Sequence, residues 1–117
     1  MATEDFKTLQ KVQDMMTYGY PILSRFPKVE KFSLAADIRT CMNELLELTI
    51  TEEKRYTKKT TLENMDICNE KLKIYLRVAM ELKYISFHTY EVWVSKLVEI
   101  GKMIGGLIKS VRDRSQT

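Results

Sequence analysis

One histidine, His88, and two cysteines, Cys41 and Cys68, are the residues that could ligate a transition metal or act as a nucleophile in this 117-residue chain. A di-iron site in a helical bundle needs carboxylates plus two Glu-x-x-His pairs, which a single histidine cannot supply. A Cys–His nucleophile would have to join Cys41 or Cys68 to His88. Neither thiol has an activating group beside it, and both fall where the apolar period asks for a core residue. Buried, reduced thiols are therefore expected, not a disulfide or a redox pair. No glycine-rich loop precedes a lysine in the phosphate-cradling pattern. No metal, no cofactor and no catalytic residue is expected.

Cations are the chemistry that recurs. Lys and Arg number 19 against 16 Asp and Glu, a formal charge of +3. Arg25, Lys28 and Lys31 cluster at one predicted corner, Arg39 follows on the second helix, and Lys54 to Lys59 mark a second corner. Lys71, Lys73, Arg77 and Lys83 decorate the third helix; Lys96, Lys102, Lys109 and Arg112 decorate the fourth. On pattern alone these are solvated helix faces balanced by acids. The functional reading joins Lys73 and Arg77, four apart on one face, to other cations in a phosphate-binding surface. Binding of that kind is directed at the backbone and steeply dependent on salt.

The elements that position these groups follow from the apolar period. Phe6, Leu9, Val12, Met16, Tyr20 and Leu23 predict a first helix over about 4–26, with a bend or early stop at Gly19 and Pro21. Phe26-Pro27 forces a non-helical corner. Ser33 is the expected N-cap of a second helix, about 33–56, carried by Leu34, Ile38, Cys41, Leu45 and Leu48. The charged run from Glu52 to Lys59 reads as its solvated end. Thr60 and Glu63 fit a capping box opening a third helix, about 60–84, with the stripe Leu62, Met65, Cys68 or Asn69, Leu72, Leu76, Ala79 and Leu82. Ser86 caps a fourth, about 87–112, whose inner side is Tyr90, Val94, Leu97, Ile100, Ile104, Leu107 and Val111. Residues 112–117 should fray.

The fold class is thus all-α, one domain over 1–117, an antiparallel four-helix bundle without sheet. No apolar run reaches membrane-spanning length, and acids stand near the start where a signal peptide would be basic, so a cytoplasmic protein is expected. Gly101, Gly105 and Gly106 each cost the fourth helix roughly 1 kcal/mol against alanine. Their expected compensation is close approach by another helix, of this chain or of another copy. Ile50, Ile74, Val92, Trp93, Val98 and Met103 lie off the main stripes. They imply a second buried surface and hence a homo-oligomer.

Four stretches resemble the accessory variability determinant (Avd) proteins of diversity-generating retroelements. They are Ser24–Leu34 (SRFPKVEKFSL), Asn43–Leu48 (NELLEL), Leu76–Ser86 (LRVAMELKYIS) and Glu99–Gly106 (EIGKMIGG), in order along nearly the whole chain. The likeness departs at Leu107, where the family often has an aromatic, and in the polar Thr49-Ile50-Thr51-Glu52 segment. The resemblance implies a four-helix bundle assembled as a homopentameric barrel, prokaryotic or phage-encoded and without catalytic activity. Such proteins bind nucleic acid and the reverse transcriptase of their element, supporting mutagenic cDNA synthesis and retrohoming. Five copies would carry about +15. The matched basic positions are Arg25, Lys28, Lys31, Arg77, Lys83 and Lys102, with Arg77 and Lys83 the favoured contacts to nucleic acid or transcriptase. The bundle proteins encoded in ribosomal RNA intervening sequences are the related alternative, favoured less by the Arg25–Leu34 and Glu99–Gly106 stretches. A small helical enzyme of the chorismate mutase kind would instead need arginines facing into the bundle.

Overall fold

The computed structural model describes residues 3–54 and 59–115, with side chains from residue 7 onward to 114. Helices α1 (Thr3–Leu23), α2 (Leu34–Lys54), α3 (Lys59–Glu81) and α4 (Phe87–Ser115) are joined at the first corner by a 3-10 turn over Lys28–Glu30. Helices consecutive in sequence pack together, and α1 also closes against α4, so the four form an antiparallel ring around one core. Its extents are 51 × 22 × 20 Å. No strand occurs among the described residues. The expected Phe6 side chain, the run 55–58 and the tail 116–117 lie outside the described residues.

Helix α1 does not stop at Gly19 or Pro21; it runs through both and ends at Leu23. Its inner face is also rotated from the expected one: Val12, Met15, Ile22 and Leu23 are buried, while Leu9, Met16 and Tyr20 are half-buried. The reason lies on α4. Trp93, read from sequence as off the stripe, is completely buried, and a Cβ on Gly19 would stand 2.3 Å from its Cζ2. The glycine faces inward because the indole occupies the space of its missing side chain. Tyr18 meets the same ring edge-on at a centroid distance of 6.2 Å.

Local signals succeed where the partner is also local. Ser86 caps α4 as expected, its Oγ accepting from the Thr89 N–H at 3.1 Å. Ser33 does not cap α2 with its hydroxyl, which donates instead to the Glu30 carboxylate. That carboxylate takes the Leu34 N–H at 3.3 Å. Thr60 lies inside α3 rather than at its cap. Leu82 leaves the inner stripe and is half-exposed, because α3 closes in a left-handed turn with Lys83 at φ 66°. There the Lys83 N–H reaches the Met80 carbonyl and the Tyr84 N–H the Ala79 carbonyl, both at 2.9 Å, the paired bonds of a Schellman end. Glu52, expected in solvent, is 2% exposed and continues the buried period of Ile38, Met42, Leu45 and Thr49.

Both Cys68 and Asn69 are buried. Asn69 donates through Nδ2 to the Leu97 carbonyl of α4 at 2.9 Å. Gly101, one turn beyond Leu97, admits that amide: a Cβ there would sit 3.1 Å from Nδ2. Gly105 and Gly106 have open space around them in this chain. Of the off-stripe apolar residues, Ile50, Ile74 and Val98 are exposed, and Ile67 and Val78 join them on the outside of the bundle.

Candidate functional site

The corner between α1 and α2 is built by Pro27, whose φ of −54° and ψ of 145° turn the chain out of α1. Three backbone bonds stiffen it: Glu30 N–H to Pro27 O at 2.9 Å, Lys31 N–H to Lys28 O at 3.1 Å, and Ser33 N–H to Glu30 O at 3.1 Å. Buried Phe26 anchors it below, with its ring centroid 5.6 Å from that of Tyr84 in the α3–α4 turn. The Tyr84 hydroxyl donates to Glu30 Oε2 at 2.8 Å. Bonds from Ser33, Tyr84 and the Leu34 N–H hold the Glu30 carboxyl below its ordinary range, and the same contact raises Tyr84. The acid of this corner is thereby occupied within the fold.

Its cations are not. Lys28, Lys31 and Arg39 line one cleft of about 320 Å³ with Leu23, Phe26 and Ala35. Arg25 stands exposed beside them in sequence. Arg39 lies over the Tyr20 ring at 5.9 Å and Lys31 over the Phe32 ring at 5.5 Å. Among the described residues none of these four cations is ion-paired to a carboxylate. Two cations of α3 differ. Arg77 meets Glu81 at 3.3 Å and Lys73 meets Glu70 at 2.9 Å. Those acids are three and four positions away, a neutralising signal already present in the sequence.

The structure thus brings Lys28, Lys31 and Arg39 together and leaves the others apart. Lys83 is exposed in the α3–α4 turn at the same end of the bundle. Lys102 lies on α4, lining a small cleft with Thr8, Met103 and Gly106. Phe32, which the sequence reading passed over, is 86% exposed, and Val29 is 80% exposed. Their position between cations and outside any apolar period was the available signal.

Cys41 donates to the Cys68 carbonyl and Cys68 to Glu44 Oε2, each at 3.5 Å. Burial raises the Cys41 thiol and pushes Cys68 up to about 12. Both are free. Among the described residues no three His, Cys, Asp or Glu side chains gather in a metal-binding group. Arg25 and Arg77 are exposed and Arg39 only half-buried, so none of the three faces inward as a mutase cavity would require.

A family model described as bAvd-like matches residues 7–111, almost the whole of this bundle. The chain belongs to the bAvd-like family. The match spans all four helices and the basic corner, so the resemblance read from the four stretches and the observed architecture agree. No curated protein matches the chain. Among the described residues of this bAvd-like bundle, no helix is long and apolar enough to cross a membrane.

Proposed function

We propose that this bAvd-like chain is a non-enzymatic accessory subunit of a diversity-generating retroelement. As a homopentamer it holds nucleic acid, and with it the reverse transcriptase of the element, to support mutagenic cDNA synthesis and retrohoming. The observation that carries the reading is the corner cleft, where Lys28, Lys31 and Arg39 converge without carboxylate partners on a chain of this family. Cations free of internal ion pairs are available to phosphate, and each engaged phosphate releases condensed counterions. The open flank of Gly105 and Gly106 supports contact with a neighbouring copy, because in this chain the two glycines leave room for another backbone.

Light scattering followed by RNA binding across a salt series tests this. A five-fold particle is expected, with affinity falling steeply as salt rises. Replacing Lys28, Lys31 and Arg39 by alanine should flatten the log–log slope by about 0.7 per lost phosphate contact, roughly 2 in all. Arg77→Ala, which removes a cation already facing Glu81, should act more weakly. A monomer, or a particle indifferent to RNA, refutes the proposal.

A further inference from the structure

We propose that the corner is a platform for single-stranded nucleic acid, in which an unstacked base lies on the Phe32 ring while Lys28, Lys31 and Arg39 hold the flanking phosphates. This rests on the nucleic-acid reading above and specifies its ligand. Phe32 is 86% exposed in a corner whose backbone is fixed by three hydrogen bonds and whose base is pinned through Glu30 and Tyr84. A rigid mount of this kind holds an aromatic face toward solvent instead of letting it collapse onto the bundle. Lys31 Nζ covers one side of the ring at 5.5 Å, which leaves the other side open.

The charge around the ring decides the occupant. Glu30 is half-buried and bonded to Ser33, Leu34 and Tyr84, bonds that hold it in its charged form. Asp37, in the first turn of α2 and two positions before Arg39, does not share the face of that arginine. At this corner Arg25, Lys28, Lys31 and Arg39 outnumber Glu30 and Asp37 by four to two, a net positive charge that suits a polyanion that also presents π-faces. A duplex hides those faces in its stack; an unpaired strand exposes them.

The test is fluorescence anisotropy of the full chain with three probes of equal length: oligouridylate, the same strand made abasic, and an RNA duplex. Wild type should favour oligouridylate over the abasic strand. Phe32→Ala should weaken oligouridylate roughly 5- to 150-fold, the range of one lost base–aromatic stack, and leave duplex and abasic affinities within about twofold. Phe32→Tyr should restore binding. Light scattering on each variant should return the wild-type mass. Unchanged oligouridylate affinity in Phe32→Ala, with salt-sensitive binding intact, overturns the platform while sparing the proposed function. An altered particle mass, or loss of transcriptase capture with RNA binding retained, makes Phe32 a protein contact and overturns it as well. Wild type that binds none of the probes removes both readings.

Discussion

Gly19→Ala should destabilise this protein although alanine is the better helix former. The added Cβ would stand 2.3 Å from Trp93 Cζ2 and 2.9 Å from Cε2 and Cη2, against about 3.5–4.0 Å for an ordinary carbon contact. More than an ångström must be found by a completely buried indole held between α1 and α4. Overpacking on that scale costs about 3 kcal/mol, and the gain in helix propensity returns about 1, leaving a net loss near 2 kcal/mol. At about 4 °C per kcal/mol for a chain of this length, the melting temperature should fall by roughly 8 °C. Circular dichroism melts and urea titrations at one protein concentration would read it, since any subunit association adds to apparent stability. Trp93→Phe removes the part of the ring that collides, together with an indole N–H that has no partner in the fold. The double variant should therefore be more stable than the two single losses predict, by at least about 1 kcal/mol. A neutral or stabilising Gly19→Ala, or losses that simply add, would show that the glycine is not set by the indole.

Other outcomes follow from the bundle ends and core. Lys83→Gly should stabilise by about 1 kcal/mol in a urea titration, because glycine accepts φ 66° without the Cβ penalty while the Schellman bonds persist. Glu30 titrates lower folded than unfolded, so its contribution is complete above the ordinary carboxylate range and lost as pH falls through the depressed folded value. Tyr84 is raised, so its contribution is complete below its ordinary value near 10.0 and lost as pH rises through the folded one. Urea midpoints measured across acid and alkaline pH should flatten on the acid side in Glu30→Gln and on the alkaline side in Tyr84→Phe. Cys68, at about 12, should resist iodoacetamide at pH 8 in the native protein and react promptly in urea. Native labelling at the unfolded rate would contradict its burial.

The helices were legible because their evidence is periodic and local. Ser86 capping Thr89 needed only three residues of sequence. The face of α1 was misread because Gly19 and Trp93 lie 74 positions apart, and nothing within α1 says which side the indole will occupy. Glu52 was misread for the opposite reason: its charged neighbours outweighed a period that still pointed it inward. At the corner the cations were plain in sequence, as were the acids that neutralise Arg77 and Lys73. What the chain could not reveal was that Glu30 would bond to Tyr84, 54 residues away, while Lys28, Lys31 and Arg39 line one cleft without a carboxylate partner.

The Asn69–Leu97 bond also limits how this molecule can move. One amide in an otherwise apolar layer has its acceptor at one height of α4, opposite Gly101. Sliding α4 by a single turn, about 5.4 Å, would drive Asn69 against side chains in place of that gap and strand its donor among leucines and isoleucines. The pair acts as a ratchet pawl. A load applied at one end of the bundle would pass along α3 and α4 as rotation or translation of the whole body, because this pair opposes axial creep between them.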